Sequence, residues 1–260
     1  MNSDILKLTI VQTDIEWEDV SANLNRYSDK LALTKGKADL IILPEMFSTG
    51  FTMNVDKVGQ SPDGEIVSWM KSTSLELQTA VLGSVIIKEG NSYFNRAYFF
   101  YPDGSFEYYD KKHLFTLAGE EKVFSPGNER KVFEYKGWKI MPLVCYDLRF
   151  PVWSRNDLNY DLLIYIASWP DKRRFAWQNL LKARAIENMA YVAGVNRVGL
   201  NVKGFDYSGD SAVLNSLGES IFEAKEYEEE VEIVEISKSQ LVKTRKVLGF
   251  INDIDDFRIG

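Results

Sequence analysis

The sequence predicts an α/β fold in which helices cover the faces of β-sheets. Two observations carry this. Uninterrupted apolar runs, Ala38–Leu43 (ADLIIL), Thr79–Ile87 (TAVLGSVII) and Asp161–Ile166 (DLLIYI), read as strands buried on both faces. Between and after them lie segments with apolar residues at helical spacing, Asp19–Leu33 and Arg173–Asn188 above all. The length, 260 residues, suits one core, so a single domain over residues 1–260 is expected.

The elements follow in order. Leu6–Val11 alternates apolar and polar residues and reads as the first strand. The first helix, Asp19–Leu33, presents Val20, Ala22, Leu24, Tyr27 and Leu31 on one side. Ala38–Leu43 is stopped by Pro44, which has no backbone donor. Glu65–Leu75 reads as a helix. Tyr93–Tyr101 and Phe106–Tyr109 are aromatic strands joined by Pro102-Asp103-Gly104, where proline presets one turn dihedral and glycine permits a positive one. Lys131–Tyr135 and Lys139–Val144 bracket the tight turn Lys136-Gly137. Pro151–Asn156 is expected as a short helix started by its proline. After Asp161–Ile166 comes the helix Arg173–Asn188, then a strand at Tyr191–Val195. Asp210–Leu214, Ser220–Ala224 and Glu229–Ile236 close the sheet system, and Lys238–Arg245 reads as a terminal helix.

Composition narrows the function. A net charge of −7 disfavours nucleic acid and anionic membrane as partners. The longest apolar stretch, Leu162–Trp169, has 8 residues, against the roughly 20 that a membrane span requires. Asp4 and Lys7 interrupt the first apolar run, so Met1–Gln12 is not a secretory signal. One cysteine, Cys145, excludes an internal disulfide and fits a reducing, cytoplasmic setting. One cysteine and one histidine, His113, make neither a zinc finger nor a multi-histidine metal site. A phosphate-binding loop, a dinucleotide fingerprint and a Gly-x-Ser-x-Gly elbow are all missing.

Three residues stand where chemistry is done. Cys145 follows the apolar run Met141–Val144, and Glu45 follows Ile41–Leu43, so both sit at the carboxyl ends of strands, where open α/β sheets bind ligands. A thiol there can act as a nucleophile and a carboxylate as its general base. Lys111 lies in Tyr109-Asp110-Lys111-Lys112-His113. In a continuing strand Lys111 and His113 would face one way and Lys112 the other, burying one lysine as a cation for a developing oxyanion.

Leu43-Pro44-Glu45, Tyr109-x-Lys111-x-His113-Leu114-Phe115 and Val144-Cys145-Tyr146-Asp147-Leu148-Arg149-Phe150-Pro151 resemble, in order, the three signature blocks of the nitrilase superfamily of carbon–nitrogen hydrolases. The similarity covers essentially the whole chain, from Thr9-Val11-Gln12 to the tail Asp253/Asp256-Phe257. Trp169-Pro170 with Arg173, and Asn196-Arg197-Val198-Gly199, are most similar to the omega-amidase branch. Two positions depart from it: Ser168 stands where Asn is common, and Asn201 where Asp is common.

The resemblance implies a four-layer α-β-β-α sandwich, a homodimer formed through helices on one face, and no cofactor. It implies hydrolysis of the distal amide of 2-oxo acid monoamides such as 2-oxoglutaramate and 2-oxosuccinamate, with water as second substrate. A nitrilase, an N-carbamoyl amino acid hydrolase or another aliphatic amidase would use the same residues. Carried over, Cys145 is the nucleophile, Glu45 the base, and Lys111 with the Tyr146 N–H the oxyanion donors. Glu120, rather than its neighbour Glu121, is preferred as a second, substrate-positioning glutamate. Arg173 is expected to hold the substrate carboxylate, with Trp169 and Phe47 as apolar walls. Arg149, Arg184 and Glu187 are expected in structural ion pairs. A cysteine hydrolase built on Cys145 and His113 is the rival arrangement.

Overall fold

The computed structural model describes residues 3–202 and 204–255. The Asp256-Phe257 part of the tail motif lies outside the described residues.

The first half of the chain builds β1 (Ile5–Gln12), α1 (Val20–Ala32), β2 (Leu40–Ile42), a short α2 (Val55–Val58), α3 (Glu65–Leu77), β3 (Ala80–Glu89), β4 (Ser92–Phe100) and β5 (Phe106–Asp110). The second half builds β6 (Phe133–Tyr135), β7 (Trp138–Val144), β8 (Leu162–Ala167), α4 (Arg174–Asn188), β9 (Tyr191–Asn196), β10 (Val198–Leu200), β11 (Asp206–Ser208), β12 (Ala212–Leu214), β13 (Ser220–Glu223), β14 (Glu230–Ser237) and α5 (Lys238–Leu248). The six-stranded sheets run β14-β1-β2-β3-β4-β5 and β13-β12-β9-β8-β7-β6, and β10 pairs with β11 in a small ribbon. Each large sheet has three parallel central strands, β1-β2-β3 and β7-β8-β9, flanked by antiparallel ones.

Alternation along the strands assigns the layers. Leu8, Ile10, Leu40, Ile42, Ala80 and Leu82 face the second sheet and join its residues in one apolar cluster. Val11, Ile41, Leu43, Val81 and Val85 face the other way, onto Leu24, Tyr27 and Leu31 of α1 and Ile66 and Met70 of α3. Trp177, Leu181 and Ala185 of α4 cover the outer side of the second sheet. The layers therefore run helix, sheet, sheet, helix. Gly194 in β9 is required by this packing, because a Cβ there would lie 2.5 Å from Leu181.

Residues Pro151–Asn156 are not helical. The helix comes earlier, as a 3-10 turn over Cys145–Arg149. Phe150 precedes proline and is extended (φ −114°, ψ 89°), which ends that turn. Beyond it the amides make turn bonds, Trp153 to Phe150 and Arg155 to Val152, while the Asn156 N–H is taken by the Asn188 side chain. The β10–β11 ribbon has no counterpart among the expected strands.

Candidate active site

The carboxyl ends of the central strands converge at one place. Glu45 follows β2, Cys145 follows β7, and Ser168-Trp169 follow β8. Lys111 follows β5, the last strand of the first sheet. Its register is set by Arg96, which is directly opposite Asp110 and grips its carboxylate at 2.7 and 3.0 Å. The next residue pair carries the site: the Lys111 N–H donates to the Asn95 carbonyl at 3.0 Å.

Lys111, Glu45 and Glu120 form a fully buried cluster. The Lys111 Nζ donates to Glu45 Oε1 at 2.9 Å and to Glu120 Oε1 and Oε2 at 3.0 and 2.9 Å. All three side chains have no exposed surface. Burial alone would favour neutral Lys111, but the charges of Glu120 and Glu45 reverse this and hold it firmly protonated. Burial pushes the Glu120 carboxyl up, with Lys111 opposing. A 3-10 turn started by left-handed Gly119 (φ 76°) turns Glu120 inward, where it also accepts the Phe115 N–H at 2.6 Å; Glu121 faces solvent. Glu45 is held further by the Ser168 N–H at 2.9 Å and the Asn95 side chain at 2.8 Å.

Cys145 is partly accessible and has φ 46°, a left-handed conformation that ordinary residues avoid. Asp147 holds this turn. Its Oδ2 accepts the Val144 N–H at 3.0 Å and the Tyr109 hydroxyl at 2.8 Å, and its Oδ1 is bound by the His113 N–H at 2.9 Å and ring Nδ1 at 2.8 Å. The Cys145 thiol lies next to Glu45 and Lys111, close enough for both charges to act on it. Burial, and then the Glu45 charge, push the thiol well above its ordinary range, so the sulfur is protonated at rest. Tyr146 is in the first turn of the 3-10 segment, where backbone N–H groups lack an intrahelical acceptor.

Cys145 and Tyr146 border a cavity of about 280 Å³ lined also by Ser168, Trp169 and Arg173, together with Phe51, Phe115, Arg149, Tyr207 and others, while Glu45, Lys111 and Glu120 lie behind this lining. Three expectations are corrected here. Phe47 is not a wall of the cavity. Left-handed Met46 (φ 46°) turns the chain, and the Phe47 ring packs at 5.3 Å from Tyr27 and 5.6 Å from Trp69, so close to Gly83 that a Cβ there would lie 3.0 Å away. Phe51 lines the cavity instead, its ring 5.3 Å from the Lys111 Nζ.

Arg149 is not in a structural ion pair. Its guanidinium lies 4.8 Å over the Trp169 ring at the cavity, and Arg173 lies 5.0 Å over Phe115. Among the described residues neither has a carboxylate partner, whereas Arg184 pairs with Glu187 at 2.9 Å. Nor do Lys111 and His113 share a face. The strand ends at Asp110, Lys111 turns inward, and His113 stacks on Phe150 at 3.7 Å, outside the cavity lining.

A thiol near a carboxylate, with a buried ammonium beside them and amide donors nearby, is suited to acyl transfer. The sequence matches the carbon–nitrogen hydrolase family over residues 7–246. The chain belongs to the carbon–nitrogen hydrolase family. This hydrolase is 44% identical to the omega-amidase YafV of Yersinia enterocolitica over 97% of its own length and 98% of that protein. It is 31% identical to a 2-oxoglutaramate amidase of Bacillus subtilis, over 95% and 96% of the two chains. The crystal structure of XC1258 from Xanthomonas campestris, a superfamily member with an arsenic adduct in its active site, superposes with a TM-score of 0.97 at 40% identity, over 99% of this chain and 100% of that one. The protein is thus an omega-amidase-like hydrolase with the α/β nitrilase fold. Among the described residues no helix is long and apolar enough to cross a membrane.

Proposed function

We propose that this hydrolase cleaves the distal amide of 2-oxo acid monoamides, 2-oxoglutaramate and 2-oxosuccinamate, to the 2-oxo dicarboxylic acid and ammonia. The observation that carries the reading is the Cys145 thiol beside the buried Glu45–Lys111 pair, at the wall of a cavity that also holds two guanidiniums without a carboxylate partner among the described residues. Each guanidinium lies over an aromatic ring, a contact that uses none of its N–H donors and leaves them for a carboxylate. The omega-amidase and 2-oxoglutaramate amidase relatives support the same substrate class.

In this mechanism Cys145 Sγ attacks the amide carbon as its proton passes to Glu45. A protonated resting thiol makes that transfer part of the attack. Lys111 and the Tyr146 N–H stabilise the tetrahedral oxyanion. Glu45 returns the proton to the departing nitrogen, the C–N bond breaks, and ammonia leaves a thioester. Glu45 then takes a proton from water, the hydroxide adds to the thioester, and collapse returns the proton to sulfur and frees the acid. Glu120 holds the Lys111 ammonium and orients the amide, while Arg149 and Arg173 bind the substrate carboxylate. Trp169 supplies an apolar wall.

The chain is further proposed to act in the cytoplasm as a homodimer. Supporting this are its single cysteine and the exposed Phe175 and Ile186 on α4, next to the hairpin carrying Leu217 and Ile221. Light scattering in solution tests the dimer.

The deciding assay is ammonia release from both oxo-acid amides by wild type and Cys145→Ala, with glutamine, a simple nitrile and an N-carbamoyl amino acid alongside. Release from the oxo-acid amides that disappears in the variant supports the proposal. Preferential turnover of another compound moves the substrate and keeps the chemistry.

A further inference from the structure

The buried cluster contains a polar side chain to which the mechanism assigns no part. Asn95 lies in β4, 1% exposed, with its Nδ2 at 2.8 Å from Glu45 Oε1 and 3.3 Å from Glu120 Oε1. Its backbone carbonyl accepts the Lys111 N–H at 3.0 Å. It therefore touches both carboxylates and fixes the lysine between them. Its own Oδ1 is buried without a hydrogen-bond partner among the described residues. For stability alone this is an unfavourable group to bury, since an unmade bond in a dry interior is costly. The arrangement satisfies the carboxylates, not the amide. Its amide nitrogen bonds to the two carboxylates and not to a residue that lines the cavity.

We propose that Asn95 is a positioning residue for the general base, one whose amide donor keeps Glu45 ionised and turned toward Cys145. This rests on the reading of Glu45 as the base. The physical need is local. Glu45 and Glu120 share one ammonium, and two adjacent carboxylates in a dry site tend to take up a proton. A neutral donor bonded to both oxygens opposes this without bringing a further charge. The titratable groups facing Glu45 are Lys111 from the segment after β5, Glu120 from its 3-10 turn, Cys145 from the segment after β7, and Tyr207 from β11.

The test is the pH profile of kcat/KM for ammonia release, together with the rate of Cys145 alkylation by iodoacetamide as a readout independent of substrate. Asn95→Ala and Asn95→Ser remove or shorten the donor, and Asn95→Asp replaces it with a third carboxylate. The expected result is an acidic limb moved to higher pH, by about one unit in Asn95→Ala and further in Asn95→Asp. At neutral pH kcat falls about tenfold or more, with KM changed less than about threefold, because the base and not the substrate site is affected. Alkylation at neutral pH slows in parallel. A folded variant with a wild-type acidic limb overturns the proposal, as does a loss confined to KM. If all three replacements unfold the chain, the amide is structural and the proposal also fails. Glu45→Gln separates the two readings. If it leaves alkylation and turnover unchanged, Glu45 is not the base; if it abolishes them while the Asn95 variants behave as wild type, only the role of Asn95 is lost.

Discussion

Replacing Lys111 with methionine keeps most of the side-chain volume and removes the charge, which isolates the electrostatic role. In the wild type the ammonium meets both carboxylates at 2.9 Å with no side-chain exposure. At an effective dielectric constant near 20, each such contact is an attraction of about 6 kcal/mol before desolvation is counted. The net effect is smaller, and breaking a buried pair costs about 3–5 kcal/mol. Glu45 and Glu120 are then left facing each other, and the pair takes up a proton. Glu120 already has a raised pKa, because burial outweighs the help from Lys111. A carboxyl with a raised folded-state pKa favours folding below its unfolded value, near 4.3, and that advantage is lost as pH rises through the folded value. Removing Lys111 extends the loss to higher pH. Urea midpoints should therefore differ little from wild type at about pH 5 and fall well below it at about pH 8. Turnover should drop by about 10²- to 10³-fold, the effect of losing one oxyanion donor. A Lys111→Met enzyme with more than about a tenth of wild-type kcat, or with an unchanged pH dependence of stability, refutes the reasoning.

Other perturbations separate core from site. Phe47→Ala should destabilise the fold by about 3–5 kcal/mol, seen as a lower melting temperature, with KM almost unchanged. Arg149→Gln and Arg173→Gln should each raise KM for an oxo-acid amide by about tenfold or more, the value of a charged hydrogen bond, and leave a neutral aliphatic amide unaffected. His113→Ala removes one of the contacts to Asp147 and should slow the enzyme far less than Lys111→Met. The reverse order of those two rates would favour a Cys–His hydrolase.

Glu45, Lys111 and Cys145 were legible because each stands at or near a strand end in a short, recognisable block. The sheets were legible for a related reason: strands covered on both faces are written as continuous apolar runs. What was not legible depends on single backbone dihedrals. Strand alternation suggests that Lys111 and His113 point together, but it does not continue past Asp110, where the Arg96 pairing ends the ladder. Phe47 and Phe51 are equally apolar and occupy one loop. The left-handed Met46 between the strand and Phe47 decides which ring enters the core. Glu120 and Glu121 are likewise separated by the turn at Gly119. The sequence places Arg149 with Arg184 and Glu187 as a structural ion-pair member, because residue type alone does not show what a guanidinium meets. Only the fold shows its guanidinium over Trp169, with no carboxylate partner among the described residues.

The distribution of charge gives the proposed reaction a direction. Cys145 stands between an enclosed cluster bearing two carboxylates and one ammonium and a cavity holding two guanidiniums that have no carboxylate partner among the described residues. A 2-oxo acid monoamide carries one negative charge and a neutral amide. With the carboxylate on Arg149 or Arg173 and the amide at the thiol, every charge has a complement. Hydrolysis converts the amide into a second carboxylate beside Glu45 and Glu120, where a further negative charge is opposed at short range. The arrangement that admits the substrate thus repels the product. Lengthening the neutral arm alters the fit, but replacing the amide with a carboxylate alters the charge. The dicarboxylic product should accordingly be a much weaker competitive inhibitor than an uncleavable neutral isostere of the substrate, and equal inhibition by the two would show that this charge separation does not act.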